Sequence, residues 1–288
     1  MKIAHAPSQV MREPRAVAIG TFDGVHRGHL SVIGSAVDSG LAPTVITFEP
    51  HPRVVLGNRV ELISTLERRL ELLAAAGVET TLVASFTPEL MRLRPEEFAQ
   101  SYLAAIGAEA VVAGDDFRFG VRRSGDLELL ARLGYQVLPV PEVASVSSTE
   151  IRRAVRDGDV ATAARMLGRP HELDGTVVAG DQRGGELGYP TANIAQDPNL
   201  LYPGDGVYAG LTREHLAAVS IGTNPHYGGT ERRIEPFLLD YSGDLYGERL
   251  VVELWERLRD QSVFDSEQAL VDQIARDVEA TRSARRPV

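Results

Sequence analysis

The sequence lacks cysteine altogether and holds a single lysine, Lys2, in 288 residues. The absence of cysteine excludes disulfide bonds, zinc sites built on thiolates and cysteine nucleophiles. The absence of an internal lysine excludes a phosphate-binding loop of the Walker type, which needs a lysine within its glycine-rich turn. Any phosphate chemistry must therefore use arginine, histidine, backbone N–H groups or a metal ion.

Long apolar runs are missing as well. No window approaches the ~18 apolar residues that a membrane span needs, and the N-terminal residues lack the apolar core of a signal peptide. We therefore expect a cytoplasmic protein with no membrane partner. The net charge of −10 argues against a nucleic-acid partner. Whether the chain forms a homo-oligomer stays open at this point.

The composition is that of an ordinary globular protein, and its length suits two domains. In the N-terminal part, short apolar runs alternate with helical patterns. The predicted strands are residues 17–19, 45–48, 81–84, 110–113 and 136–140. Alternation at this spacing predicts an α/β fold with a parallel, doubly wound sheet, in which ligands bind at the carboxyl ends of the strands.

The segment after the first predicted strand, residues 20–29, reads Gly-Thr-Phe-Asp-Gly-Val-His-Arg-Gly-His and runs into a helical pattern. Its glycines allow backbone N–H groups to approach an anion, and the helix N-terminus adds positive charge. His26 and His29 stand three residues apart on the first helical turn and can face one phosphate. Two histidines in a turn are often plain surface residues. The flanking strand, glycines and helix favour a phosphate site.

The pattern changes after residues 168–170, Gly-Arg-Pro. Short strands separated by glycine-rich turns follow, at residues 175–178, 192–194, 207–211, 217–221, 234–241 and 250–255. They predict an antiparallel barrel or sandwich, followed by a final helix with Leu270, Ile274 and Val278 on one face. We therefore predict two domains, residues 1–168 and 169–288, and expect the second to fold by itself.

Residues 180–193 form a second glycine-rich segment, which ends in Pro190-Thr191-Ala192-Asn193. Such a segment could be no more than a floppy hairpin. Thr191 and Asn193, however, are two apart on a strand and so face one side. Their neutral oxygens suit Mg²⁺ that also carries phosphates and water, and the glycine loop can donate N–H groups to phosphate without a lysine.

These segments resemble known enzymes. Residues 20–29 are similar to the signature of the nucleotidyltransferase half of the bacterial bifunctional riboflavin kinase/FAD synthetases. Residues 180–193 closely resemble the GxxxGxxLGxPTAN motif of the riboflavin kinase fold. The resemblance runs in family order from Val17 to about Arg282 and implies a Rossmann-like nucleotidyltransferase domain followed by a riboflavin kinase barrel with a terminal helix.

In the N-terminal domain, the resemblance implies that His26 and His29 contact the nucleotide phosphates as catalytic residues. The further nucleotide-binding residues that it implies in the loop and in the SSTxIR motif are Gly20, Phe22, Asp23, Gly28, Ser148, Thr149 and Arg152. The motif at 147–152 can also be an ordinary helix start, with Ser147 or Ser148 as the N-cap.

The flavin side is implied by a TFEPHP motif and a GDDFRFG motif. The residues concerned are Phe48, Pro50, His51, Pro52, Asp116 and Arg118. A proline-stiffened loop and ordinary turn chemistry are the plain alternatives for these two segments.

In the C-terminal domain, the resemblance implies nucleotide contacts at Gly180, Gly184 and Gly188, and Mg²⁺ ligands at Thr191 and Asn193. It places the catalytic base at Glu235, which by pattern alone is a solvent-facing strand residue. Two departures from the family occur nearby. His226 stands where threonine is more common, and Pro236 follows the base directly.

The function that the resemblance implies has two steps. The C-terminal domain would phosphorylate riboflavin to FMN with ATP, and the N-terminal domain would adenylylate FMN to FAD with release of pyrophosphate. The alternatives are a paralogue with one competent half, an enzyme for a flavin analogue or another nucleotide, and a non-catalytic flavin or nucleotide sensor. Retention of both histidines, Thr191, Asn193 and Glu235 weighs against the sensor.

Overall fold

A computed structural model describes residues 1–180, 188–223 and 232–288. The chain forms two compact units. The first consists of Met1–Val60 and Leu66–Val146, and the second of Glu61–Thr65 and Ser147–Val288.

The first unit is built on a parallel sheet of six strands in the order β1-β4-β3-β2-β5-β6. The strands are β1 Lys2–Ala4, β2 Arg15–Ile19, β3 Ala42–Glu49, β4 Thr80–Ser85, β5 Ala108–Gly114 and β6 Gln136–Val140. The predicted parallel sheet is confirmed. The sequence prediction missed β1, because three residues at the edge of a sheet carry no periodic pattern.

Helices cover both faces of this sheet. They are α1 Arg27–Val37, α2 Pro52–Val55, α3 Leu66–Ala75, α4 Pro88–Arg92, α5 Pro95–Phe98, which continues as a π-helical turn over Ala99–Ala104, and α6 Leu127–Arg132. Side chains alternate along β2, so that Val17 and Ile19 join one core cluster while Ala16 and Ala18 join the other. A strand buried on both faces is what a doubly wound sheet requires.

The second unit is built on an antiparallel sheet of six strands in the order β11-β10-β9-β12-β7-β8. The strands are β7 His171–Val178, β8 Asn193–Ile194, β9 Gly206–Thr212, β10 His215–Gly222, β11 Arg233–Leu238 and β12 Arg249–Arg259. The two end strands approach each other, because the Ala192 N–H donates to the Pro236 carbonyl at 3.0 Å. The sheet is therefore a nearly closed barrel, and the predicted barrel is confirmed.

Three helices lie in the described part of the second unit: α7 Ser148–Arg156, α8 Val160–Leu167 and the C-terminal α9 Glu267–Ser283. Val160 of α8 is 1% exposed and is part of the barrel core cluster. The compact unit therefore begins at Ser147, before the predicted domain boundary at residue 168. None of the helices in the described part of the chain has the length and apolar composition needed to cross a membrane.

Candidate active sites

The loop after β2 lies at the point where the sheet changes direction. From β2 the chain passes to β3 on one side and returns to β5 on the other, so β2 stands between these two strands. Ligands of open α/β sheets bind at such a switch point, outside the carboxyl ends of the strands. The sequence-predicted phosphate loop and the Asp116 segment, which follows β5, therefore share this position in the first unit.

Buried side chains fix the shape of the loop. Phe22 and Val25 each have 1% exposure and positive φ angles of 50° and 39°. Such angles are unfavourable for bulky residues, and the burial of both side chains must hold the backbone in place. Between them Gly24 has a φ of 76°, which glycine adopts without strain. Apolar packing therefore holds the loop in this shape.

The two predicted histidines cap helix α1 reciprocally. The His29 backbone N–H donates to His26 Nδ1 at 3.3 Å, and the His26 N–H donates to His29 Nδ1 at 3.4 Å. Their rings stack with centroids 3.6 Å apart. Because each Nδ1 accepts a hydrogen bond, the ring proton of each neutral histidine is on Nε2. Both rings can therefore donate from Nε2 to an oxyanion.

Two glycines make room for this arrangement. A Cβ on Gly28 would stand 3.2 Å from the His26 Cε1 and Nδ1 atoms, and one on Gly20 would stand 3.3 Å from the Phe22 ring. A side chain at either position would press on the rings that shape the loop. The glycines of the predicted motif therefore permit close packing as well as backbone approach.

The predicted flavin segments follow β3 and β5. The Phe48 ring packs edge-on against Phe86 at 5.5 Å. His51 is buried, and its Nδ1 accepts the Arg53 N–H at 3.2 Å, which caps α2. Pro50 is exposed and Pro52 is half-buried.

Asp116 and Arg118 are exposed beyond β5. The Arg118 Nη1 donates to the Phe117 carbonyl at 2.9 Å. Their exposure leaves both side chains accessible to a ligand at this edge of the sheet.

A charged cluster that the sequence prediction missed lies under these loops. Arg69 on α3 is wholly buried, with Nη2 3.7 Å from Glu49 Oε2. Burial raises the pKa of Glu49, and the nearby Asp23 raises it further, whereas Arg69 opposes this shift. The signal was an arginine on the inward face of α3, between the apolar positions Leu66 and Leu73.

The SSTxIR motif is the start of α7 in the second unit. Ser147 is the N-cap, since its Oγ accepts the Glu150 N–H at 3.2 Å. Ser148 is half-buried and Thr149 is exposed on the first turn. Arg152 is buried, and its Nε donates to the Glu61 carbonyl at 2.7 Å. This contact attaches residues 61–65 to the second unit.

The second glycine-rich segment ends in β8, where the pairing of Asn193 with Val178 directs the Asn193 side chain outward from the barrel. Ile194, one residue on, is 4% exposed and packs inward. A Cβ on Gly180 would come within 2.8 Å of the Asn193 Oδ1 atom. The backbone at residue 180 therefore lies against the Asn193 amide, which a larger residue would displace.

Thr191 is two residues before Asn193 and is half-buried, while Gly188 is exposed with a φ of 84°. Gly184 and His226 lie outside the described residues.

The predicted base lies on the same outward face. Along β11 the side chains of Ile234, Pro236 and Leu238 are buried, while Glu235 and Phe237 between them are half-buried. The Tyr189 ring contacts the Phe237 ring edge-on at 5.3 Å. Together with the hydrogen bond from Ala192 to Pro236, this contact sets the segment of Thr191 and Asn193 beside Glu235.

Pro236 does not disturb the strand. Its carbonyl accepts the Ala192 N–H, where the two end strands of the barrel approach each other. In an extended strand the nitrogen and the carbonyl of one residue point to the same side, so the Pro236 nitrogen also faces away from β10. Glu235 keeps its pairing with Ser220 on β10. The proline therefore removes no hydrogen bond to β10, and the Glu235 side chain remains on the outward face.

The donor set fits a hard cation that is shared with substrate. Within residues 1–180, 188–223 and 232–288, no group of three or more histidine, aspartate and glutamate side chains could enclose a metal ion. The Asn193 amide, held against the glycine at 180, offers a neutral oxygen instead. Such a site suits Mg²⁺ that brings phosphate and water as its other ligands.

Comparison with known families also divides the chain into two parts. A family model described as FAD synthetase matches residues 8–154. A second, described as riboflavin kinase, matches residues 167–285.

Two curated relatives match almost the whole chain, and both are bifunctional riboflavin kinase/FMN adenylyltransferases. The protein of Listeria monocytogenes is 36% identical over 288 residues, which cover 93% of this chain and 92% of that protein. The protein of Escherichia coli is 34% identical over 293 residues, with 95% and 93% covered.

A solved structure has the same fold across both halves. It is a crystal structure of a protein of Streptococcus pneumoniae described as a macrolide-efflux protein. It has a TM-score of 0.87 and 33% identity, and the match covers 97% of this chain and 98% of that one.

Proposed function

Since the chain belongs to the family of bifunctional riboflavin kinases/FMN adenylyltransferases, we propose that it makes FAD from riboflavin in two ATP-dependent steps. Residues 169–288 carry the first step and residues 1–168 the second. The observation that supports this most directly is that each of the two compact units holds its own glycine-rich, phosphate-suited loop. A protein with one reaction would need only one.

In the first step, the primary hydroxyl of riboflavin attacks the γ-phosphorus of ATP, and ADP leaves. Glu235 is the proposed base that takes the hydroxyl proton, a contribution of about 10²–10⁴-fold. Its position on the outward face, beside the segment of Thr191 and Asn193, supports this role. Gly180, Gly184 and Gly188 are proposed to bind the nucleotide.

Thr191 and Asn193 are the proposed ligands of Mg²⁺. When bound, this ion would neutralise the negative charge that develops on the transferred phosphate. Replacement of either residue by alanine should therefore weaken binding of the metal–nucleotide complex as well as turnover.

In the second step, a phosphate oxygen of FMN attacks the α-phosphorus of another ATP, and pyrophosphate leaves. No covalent enzyme intermediate is needed. His26 and His29 donate from Nε2 to the nucleotide phosphates and stabilise the transition state. Their fixed Nδ1 bonds support this, because donors that are already oriented need no reorganisation during the reaction.

Nucleotide binding is proposed for Gly20, Phe22, Asp23 and Gly28, and likewise for Ser148, Thr149 and Arg152. The flavin is proposed to lie against Phe48, Pro50, His51 and Pro52, with Asp116 and Arg118 as its polar contacts. The proposed location is the cytoplasm, where ATP is supplied.

The test is to incubate the purified protein with riboflavin, ATP and Mg²⁺ and to separate the flavins by chromatography over time. We expect FMN to appear first and FAD to follow, and chelation of Mg²⁺ to stop both. Accumulation of FMN without FAD would show that only the kinase half is competent. Flavin binding without conversion would support the sensor instead.

A further inference from the structure

Arg69 is a buried charge at the carboxyl edge of the first sheet. It belongs to α3, and its side chain has 0% exposure. Its Nη1 donates to the Phe48 carbonyl at 3.3 Å and, at 3.5 Å, to Thr47 Oγ1. Both acceptors are on β3, where the predicted flavin segment begins.

The remaining donors of Arg69 are uncommitted. Its Nε and Nη2, and the Oε2 of Glu49, are buried and make no hydrogen bond within the described ranges. Nη2 and Oε2 are 3.7 Å apart, an ion pair that is too long for a hydrogen bond. A buried guanidinium with unused donors destabilises a fold, so its retention calls for a role other than stability.

Arg15 in the same sheet shows the contrast. It is 2% exposed, and its guanidinium donates to Thr44, Thr80 and the Ile106 carbonyl at 2.9, 3.2 and 3.2 Å. It lies at the amino end of β2, away from the candidate site. One buried arginine is thus satisfied at the far end of the sheet, and the other is incompletely satisfied beneath the loops.

Asp23 completes the cluster from the nucleotide loop, where it is 1% exposed. Burial lowers the pKa of Arg69, while the negative charges of Asp23 and Glu49 oppose this shift. An arginine keeps its proton under such conditions. Arg69 is therefore a positive charge that is influenced by one carboxylate of the nucleotide loop and by another at the carboxyl end of β3.

We propose that Arg69 is a positioning residue for FMN adenylylation, which holds the nucleotide loop through Asp23 and the flavin loop through Phe48 and Glu49. The inference rests on the function proposed above. Because Arg69 is wholly buried, it acts through these loops and not on the substrates. Its uncommitted donors allow the Glu49 pair to shorten when the loops close on FMN and ATP.

The effect should fall on turnover. If the two loops are displaced relative to each other, both substrates still bind, but their reacting atoms are no longer aligned. Misplacement by about 1 Å can cost about 10²-fold in rate. We expect Arg69→Met to lower kcat for FAD formation from FMN by about 10²-fold, with KM for FMN and ATP changed much less. Arg69→Lys keeps the positive charge but loses the planar guanidinium with its several donors. Its kcat should therefore lie between those of Arg69→Met and the wild type.

Arg15→Met is the matched control, since it removes a similarly buried arginine from the same unit. Rates are normalised to the folded fraction, measured by near-ultraviolet circular dichroism. The control should melt at a lower temperature yet retain kcat for FAD formation. If Arg69→Met does not fold, Glu49→Gln keeps the shape, removes the ion pair and should lower the same kcat by about 3–10-fold.

Riboflavin phosphorylation in the same samples separates this inference from the function on which it rests. If the wild type forms no FAD, the proposed function is wrong. If the wild type forms FAD but Arg69→Met and Arg15→Met lose the same fraction of kcat, Arg69 is merely structural. Unchanged kcat in Arg69→Lys and Glu49→Gln would also overturn the inference.

Discussion

His26 and His29 combine a structural role with a proposed chemical role. The Nδ1 atoms accept backbone N–H groups at the start of α1, and the Nε2 atoms carry the protons. The same pair of residues thus caps a helix and presents two donors at its N-terminus. Capping and phosphate contact are separable functions, and a substitution can distinguish them.

We expect His29→Asn to retain the cap and lose the chemistry. The asparagine Oδ1 can accept the His26 N–H, but no donor reaches the former Nε2 position. FAD formation should fall by about 10²–10³-fold in both His29→Asn and His29→Ala. Only His29→Ala should lose about 1 kcal/mol of unfolding free energy, the usual value of a cap. Denaturant titration measures the stability, and equal stability of the two variants would contradict the capping role.

His171 is a buried histidine outside both candidate sites. It begins β7 with 1% exposure, and neither ring nitrogen has a hydrogen-bond partner among the described residues. Burial lowers its pKa from 6.5 to about 3, and Arg169 contributes to the shift. The unfolded chain therefore takes up this proton at a higher pH than the folded protein does.

Acid therefore destabilises the folded protein through His171. The stability contribution is fully present above pH 6.5 and is lost as the pH falls toward about 3. The slope is about 1.4 kcal/mol per pH unit within this window. We predict that His171→Leu removes this slope, as measured by denaturant unfolding between pH 7.5 and about 4.5. Replacement of the exposed His5 is the control and should leave the slope unchanged. An unaltered slope in His171→Leu would show that other groups set the acid sensitivity.

The approach of the two end strands of the barrel brings the proposed kinase residues together. The strand β11 and the segment before β8 meet through Ala192 and Pro236. Because side chains alternate along both, Thr191, Asn193 and Glu235 share the outward face. Gly180 then lies against the Asn193 amide and defines its position.

We predict that Gly180→Ala lowers FMN formation through Asn193. The added Cβ must displace the amide, which can swing aside at little cost to stability. The check is a double-mutant cycle with Asn193→Ala, in which coupled residues give non-additive effects. We expect the double variant to be no slower than Asn193→Ala alone. Additive losses would mean that residue 180 acts separately from the amide.

Helix α8 belongs to the barrel although it precedes the predicted boundary. Val160 and Leu167 are each 1% exposed, and Val160 is part of the barrel core. We therefore expect residues 147–288 expressed alone to melt higher than residues 169–288, by about 10 °C for two lost apolar side chains. Differential scanning calorimetry with a riboflavin kinase assay checks this. Equal melting temperatures and activities would support the predicted boundary at residue 168.

At the scale of the whole molecule, much of the architecture could be predicted from sequence. The apolar runs that became β2 to β6 were visible because parallel strands buried on both faces are continuous apolar segments. The strand predicted for residues 234–241 ends at Leu238, three residues earlier. The backbone turns at Asp240, where φ is 56°, and apolar pattern alone does not reveal such a turn.

The parts that could not be predicted depend on tertiary packing. The assignment of α7, α8 and residues 61–65 to the second unit rests on contacts such as that of Arg152 with the Glu61 carbonyl. The burial of Arg69 cannot be predicted from the sequence, because a buried charge is identified by its surroundings in the fold and not by its neighbours in sequence. By sequence pattern alone Pro236 is unfavourable in a strand, because the direction of its carbonyl is set by the fold.

A crossed assay of two variants, each supplied with riboflavin and, separately, with FMN, tests whether the chain holds two independent active sites. His29→Ala should convert riboflavin to FMN at the wild-type rate and form almost no FAD from either flavin. Glu235→Gln should form almost no FMN, with the loss in kcat, and should still convert supplied FMN to FAD. Two active sites in one chain predict this reciprocal pattern. A folded variant of either kind that loses both reactions to the same extent, or a Glu235→Gln protein with near-normal FMN formation, would contradict the account.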